Sequence, residues 1–289
     1  MNLLSQKKMS AQMKNPRVSI VRFLYKPEKE VYERITEMIK KQTIKAEIIE
    51  NWNMPTAKSL NKGIKEAKGD IIVTLAQDCI PENEFWLEKL IKPLEDNKVA
   101  ATISDLYLPE KYWKKYPFWT RIFTISDRKD KKNGLDARGC AYRKKDLIEI
   151  SLFNEDPRVI GIDTELAVKL RVKGEFIRPN VRVLHLHKSE SIKEVIKKIY
   201  TYSEGNGKII KKFGLKVGKL DFWIRIIKIL PLIGMGLSLF RFPYKKYFYL
   251  FPFYLIIAIP TIHAINLIGF WKGFFLNKER IRNFNESKP

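Results

Sequence analysis

Three short stretches carry side chains suited to chemistry. The run from Ile71 to Pro81 is apolar and β-branched until it breaks at Gln77-Asp78. A carboxylate just past a buried strand can hold a divalent cation through one or two oxygens, with phosphates completing the shell. A lone Asp after a strand is also a common turn or N-cap residue. In Gly161–Ala167, Asp163 sits where a helix N-cap falls and Glu165 in the first turn. Helix stability accounts for both, and so does a general base aimed into a cleft. The segment Val183-Leu184-His185-Leu186-His187 holds two of the chain's 3 histidines. In a strand they share one face, as a ligand pair or a structural pair. Cys79 and Cys140 are too few for a disulfide framework and read as buried thiols.

These residues need a scaffold that brings strand ends together. Val18–Phe23, Glu47–Glu50, Ile71–Ala76 and Val99–Ile103 read as strands, because Ile, Val and Thr suit a buried pleated sheet. Val31, Ile35, Met38 and Ile39 recur along one helical face. Ala57–Lys68, ended by Gly69, reads as a second helix, and Pro81 with Phe85–Ile91 as the start of a third. Strands alternating with helices imply a mostly parallel α/β sheet. Such sheets bind ligands beyond the carboxyl ends of their strands, after Phe23, Glu50 and Leu75.

The chain is 289 residues long with a net charge of +23, 45% apolar and 30% charged, which excludes a disordered or collagen-like protein. The charge suits an anionic lipid surface, a phosphorylated small molecule or nucleic acid. No sequence feature matches a nucleic-acid module, so no nucleic-acid partner is expected. Residues 1–15 read as a flexible basic N-terminus without the apolar core of a secretory signal, which puts the bulk of the chain on the cytoplasmic side. Residues 191–220 read as a basic amphipathic helix and linker, opened by Ser191 and Glu194 at capping-box spacing.

Residues 221–289 form a hydrophobic C-terminal region. Tyr247–Trp271 carries no Lys, Arg, Asp or Glu. It exceeds the ~20 apolar residues a bilayer-crossing helix needs. Ile229–Phe240 is a second uncharged run, too short to cross unless Phe222–Ile227 joins it. Aromatic residues crowd the ends of both runs, as at a membrane interface. One span, two spans, an interfacial hairpin and a buried core hairpin all fit this pattern.

Taken in order, these motifs resemble the family 2 glycosyltransferases over residues 16–190. Leu60-Asn61-Lys62-Gly63-Ile64-Lys65-Glu66-Ala67-Lys68-Gly69-Asp70 is similar to that family's R-N-x-G-I-x-x-A-x-G-D segment. Leu75-Ala76-Gln77-Asp78 occupies its Asp-x-Asp position, and Leu135–Leu147, with Arg138 and Arg143, its acceptor-side stretch. Asp163-Thr164-Glu165-Leu166 with Gly174 is similar to its E-D-x-E-L…G motif, and His185 to its late metal- or phosphate-binding histidine. The Gln-Asp-x-x-Pro variant and closing His-x-His are similar to rhamnosyltransferase-like members. Three departures stand out: Ala76 replaces the first Asp, Ile162 replaces a Glu, and Glu50-Asn51-Trp52-Asn53 shortens the D-x-x-S-x-D loop.

The resemblance implies a GT-A, Rossmann-like fold and inverting transfer of a hexosyl or deoxyhexosyl group from a nucleotide-sugar. The acceptor would be a glycan or polyprenyl-linked hydroxyl at the cytoplasmic face of the cell membrane. Asp163 is then the base. Asn61, Gly63, Asp70, Gln77 and Asp78 line the donor, and Asp78 with His185 holds Mg²⁺ or Mn²⁺. Arg138, Arg143, Glu165 and His187 serve acceptor or phosphate. The alternative is a membrane-tethered sugar-nucleotide binding protein without catalysis.

Overall fold

The computed structural model describes residues 17–128, 134–156, 161–186 and 191–275. Residues 1–15 and His187 lie outside the described residues. Two compact units are present.

The first unit is a layered α/β domain. Strands β1 (Val18–Leu24), β2 (Glu47–Trp52), β3 (Ile71–Ala76), β5 (Val99–Ile103), β7 (Cys140–Arg143) and β8 (Glu175–Ile177) form one sheet in the order β2-β1-β3-β7-β5-β8. β1 runs parallel to β2 and β3, and β5 runs parallel to β8, while β7 is antiparallel to both its neighbours. A small sheet of β4 (Cys79–Pro81), β9 (Arg182–His185) and β6 (Asp105–Tyr107) lies at the end of β3.

Alternation along the strands sorts the core into two layers. Val18, Ile20 and Val73 pack with Ile35 and Ile39 of helix α1 (Lys29–Lys40) and Trp86, Leu87 and Leu90 of α3 (Trp86–Ile91). Val21, Ile72 and Tyr142 face the other way. They meet Leu60 and Ile64 of α2 (Thr56–Glu66), Leu147 of α6 (Lys144–Glu149) and Leu166 and Leu170 of α7 (Ile162–Leu170). Burying each such Val, Ile or Leu stabilises the fold by about 1.5–3 kcal/mol.

Two local expectations differ from what forms. Pro81 does not start a helix: it closes β4, whose Ile80 and Pro81 pair with Leu184 and Val183. As the last residue of a three-residue strand at a sheet edge, it tolerates the missing N–H. Asp163 does not cap α7 but lies inside its first turn, because the helix starts at Ile162.

The second unit is helical. It holds α5 (Phe118–Thr124), α8 (Ile192–Phe213), α9 (Lys219–Ile229), α10 (Ile233–Leu239) and α11 (Tyr244–Phe275). By number α5 falls within residues 16–190, yet Phe118 and Trp119 make edge contacts with Phe253. The Ser191–Glu194 capping box forms at the start of α8. That helix is more than a linker, because α11 packs along it through glycines. A Cβ on Gly207 would lie 2.1 Å from the Phe270 carbonyl oxygen, and one on Gly273 2.0 Å from that of Glu204. Backbone approach of this kind is how helices associate in apolar surroundings. Within α11, a π turn at Tyr254–Ala258 precedes Pro260, which has no N–H to continue the i→i−4 ladder.

Candidate active site

The site gathers beyond the carboxyl ends of β1 and β3. β3 is buried along its length and delivers Gln77 and Asp78 to the edge. The Gln77 carboxamide accepts from the Tyr25 amide at 2.6 Å and donates to the Tyr25 carbonyl at 3.1 Å, pinning the loop after β1. Asp78 is held from the opposite side. Cys79 pairs with His185 across β4 and β9, and the Leu186 amide donates to the Asp78 carbonyl at 2.7 Å. This register sets His185 Nε2 3.1 Å from Asp78 Oδ2.

Asp78, Cys79 and His185 could together surround a cation, with one donor atom from each within 4.8 Å of the others. Burial pushes the Cys79 thiol well up, with the Asp78 charge adding to it, so sulfur stays protonated. The usable donors are a carboxylate oxygen and an imidazole nitrogen. That set suits a Mg²⁺- or Mn²⁺-type ion completed by phosphate oxygens rather than a thiolate-seeking metal.

The segment 135–139 leads into β7, and its Asp136 and Arg138 act electrostatically on both Cys79 and Asp163. Gly139 has φ +115°, and its amide donates to the Thr74 carbonyl at 2.9 Å. That backbone conformation, with Ser104 and Val183 3.2 Å from where a Cβ would stand, restricts the position to glycine. Asp136 turns back on itself, accepting from the Arg138 amide and guanidinium at 2.9 Å each.

Asp163 is half-buried, with its Oδ1 shielded from solvent. The Ala137 amide donates to its carboxylate, and Oδ1 has no partner among the described residues. Its pKa is raised to about 7, first by burial and then by the Asp136 charge, against the opposing Arg138 cation and Ala137 amide. Asp136 and Arg138 also act on Cys79, beside Asp78, so one charged segment couples the cation-type pair to the Asp163 carboxyl. The spacing of motifs did not single out Asp136. Its only signal was lying two residues before Arg138.

The remaining expected residues divide by what they touch. The Glu165 carboxylate accepts from Asn154 at 3.2 Å and lies 3.5 Å from Lys169 Nζ. Asn61 is buried, donating to the Phe153 carbonyl at 2.8 Å and accepting from the Phe153 amide at 3.0 Å. Asn61 thus fixes the loop whose Asn154 holds Glu165, and it acts on α7 from a distance. Gly63 lets α2 approach β1, for its Cβ would lie 2.4 Å from Val21 Cγ1. Arg143 is buried, donating to the Val99 and Asp96 carbonyls at 2.6 and 2.7 Å and to Asp146 at 3.1 Å. Asp70 precedes β3, at the end of the strand away from Asp78, with Arg17 at 3.8 Å. The structure therefore brings together Gln77, Asp78, His185, Arg138 and Asp163. It gives Asn61, Gly63 and Arg143 framework contacts and leaves Asp70 at the far edge.

Comparison with known proteins fits this arrangement. Residues 29–150 match the model for Glycosyl transferase family 2. A comparison with curated proteins found no match. Among solved structures, a mannosyltransferase from Pyrobaculum calidifontis in complex with GDP-Man and Mn²⁺ superposes with a TM-score of 0.61 at 14% identity, covering 96% of this chain and 95% of that one. GalNAc-T7 with UDP, GalNAc and Mn²⁺ gives 0.46 at 14% identity, covering 67% and 51%. A glucosyl-3-phosphoglycerate synthase from M. tuberculosis gives 0.45 at 12% identity, covering 71% and 83%. With the strand order, the Asp78–His185 pair and Asp163 in place, residues 29–150 are similar to the family 2 glycosyltransferases and the chain has a GT-A fold.

Proposed function

We propose that this chain is an inverting glycosyltransferase acting at a membrane, moving a sugar from a nucleotide-sugar to a hydroxyl of a glycan or lipid-linked acceptor. The observation that carries it is Asp163, a half-buried carboxyl with a pKa raised to about 7 and a shielded Oδ1 without a partner among the described residues. A base titrating near working pH is matched to taking a proton from a weakly acidic hydroxyl. Asp163 accepts that proton as the acceptor oxygen attacks the anomeric carbon from the face opposite the leaving diphosphate. Arg138 offers a cation at the same segment, and Glu165, anchored by Asn154, orients acceptor hydroxyls. Asp78 and His185 would hold the divalent cation, which supplies positive charge where the diphosphate leaves.

The replacements at Ala76 and Ile162 each remove a carboxylate of the motif, which is the ground for the non-catalytic reading. Ala76 packs into the first apolar cluster and Ile162 against the second, while the carboxylates of Asp78 and Asp163 are retained.

Membrane attachment rests on the second unit. α11 spans 32 residues, and only 28% of its most apolar window is buried. At ~1.5 Å per residue it exceeds a ~30 Å hydrocarbon core. α9 and α10 form a pair bent by 99°, and at the break Leu232 is 80% exposed.

The test is nucleoside diphosphate release by purified full-length protein across a panel of nucleotide-sugars, with and without Mn²⁺. Slow, Mn²⁺-dependent release from one donor, lost in Asp78→Asn, is expected. A donor that raises the melting temperature but is never cleaved, with any acceptor tried, would leave the binding-protein reading in its place.

A further inference from the structure

The helical unit contains an open cavity of about 240 Å³ in which polar side chains gather beside apolar ones. The helices around it carry outward-facing apolar side chains, among them Trp223, Leu230, Leu237, Ile256 and Ile268. Ser203 and Asn206 of α8, Asp221, Arg225 and Lys228 of α9, and Asn266 of α11 line the cavity on its polar side, and Ile224, Ile229 and Phe270 complete it. The Arg225 guanidinium donates to the Asn206 carboxamide oxygen, and Ser203 Oγ donates to the Asn266 carbonyl at 2.5 Å. One turn before Asn266, the His263 Nε2 atom is buried without a partner among the described residues. Ser203 is buried, Asn206, Asp221, Arg225 and Asn266 are half-buried and Lys228 is exposed at the mouth; ionisable groups among apolar helices mark binding or transport sites.

We propose that this cavity binds the phosphate headgroup of a membrane lipid. The inference rests on the membrane reading of this unit but concerns a site separate from Asp78 and Asp163. Three features select the ligand. Arg225 and Lys228 outnumber Asp221, leaving a net positive lining, and guanidinium with ammonium is the donor set that phosphate oxygens take. Asn206 holds the Arg225 fork in place, which reduces the entropy lost on binding. The volume is below the ~300–1,000 Å³ typical of pockets for drug-sized ligands, a size that suits a headgroup. The apolar faces of α9 and α11 would carry the acyl or isoprenoid chain.

The test is flotation of full-length protein with phosphatidylcholine vesicles, alone or doped with phosphatidic acid or with a polyprenyl phosphate. Binding to plain vesicles reads the membrane reading by itself; the gain on doping reads the cavity. At least about a fivefold gain is expected with a phosphate-bearing lipid. Arg225→Gln/Lys228→Gln should lose that gain and keep plain-vesicle binding. The charge-matched control Lys211→Gln/Lys212→Gln, on exposed positions of α8, should keep it. Should the double variant melt early, Lys228→Gln alone, which leaves the Arg225–Asn206 bond intact, must still lower the gain. Equal losses in cavity and control variants would overturn the proposal in favour of general surface charge. Full suppression of the gain by millimolar inorganic phosphate, with no advantage for the lipid forms, would overturn the lipid as ligand.

Discussion

The two units differ in what they leave exposed. In the α/β unit, the strands hide Ile20, Val21, Ile72 and Val73, and charged or polar groups gather at the sheet's edge, where Asp78, Asp136, Arg138 and His185 meet. In the helical unit many large apolar side chains face outward, with Phe240 at 74% and Ile256 at 72% exposure, while Ser203, Asn206, Arg225 and Asn266 line an open cavity. Water-driven burial explains the first pattern, since apolar area leaves water as the sheet is covered. The second keeps apolar side chains outside as well as inside. Its helices also meet through glycine-mediated backbone approach, a packing mode that serves in apolar surroundings.

The sharpest way to break that contrast lies at Asp163. Asp163→Asn should lower transfer by at least about 10²-fold, since general-base catalysis supplies about 10²–10⁴. Near-normal turnover by folded variant protein would remove Asp163 as base. Wild-type kcat/KM should rise with pH to a plateau above about 7, because only the ionised carboxyl accepts a proton. Asp136, Arg138, Cys140 and Tyr142 surround this carboxyl electrostatically, so its apparent pKa belongs to the cluster. The same displacement costs stability. The folded form holds the Asp163 proton over the window from 3.8 to about 7, where the unfolded chain has released it, so this group's contribution falls as pH rises through that window. Asp163→Asn should therefore gain thermal stability relative to wild type at pH 8 compared with pH 4.

A smaller effect tests the framework role of Arg143. Its buried guanidinium serves two backbone carbonyls and Asp146, so Arg143→Gln should cost about 3–5 kcal/mol of stability, as breaking a buried pair does. The acceptor KM should hold steady in protein that remains folded. A KM rise with unchanged melting would restore Arg143 to the acceptor site. The smallest expected effect is in the helical unit. Gly273→Ala pushes a methyl against the Glu204 carbonyl and should loosen α8 from α11 by about 1–3 kcal/mol, the usual cost of overpacking. Limited proteolysis in detergent should report it, and the donor-binding constant should stay within about twofold.

The elements of the α/β unit were legible because their pattern is periodic. Val18–Phe23, Ile71–Ala76 and Val99–Ile103 extend or match the strands that form. Asp78 and Asp163 stood out because each follows an extended segment in a recognisable motif. What the chain did not announce depends on contacts distant in sequence. Asp136 matters only because the turn at Gly139 folds its segment over Asp163. Arg143 belonged to a motif read as acceptor-binding, and nothing local could show that its fork is occupied by residues 96, 99 and 146. Likewise Pro81 looked like a helix start until β9, a hundred residues on, paired beside it.

The Asn61–Phe153 bond bears on how the protein comes into being. It joins groups 92 residues apart, whereas β1 meets β2 through Ser19 and Glu47, much nearer in the chain. Closing a longer loop costs more chain entropy, and non-local contacts slow folding. Strand pairing at the N-terminal half can therefore precede the moment when Asn61 captures the loop that anchors Glu165 beside Asp163. During synthesis the nascent chain would carry a nearly complete sheet while its reactive centre was still unassembled. Catalytic competence should then lag behind backbone order in a refolding time course.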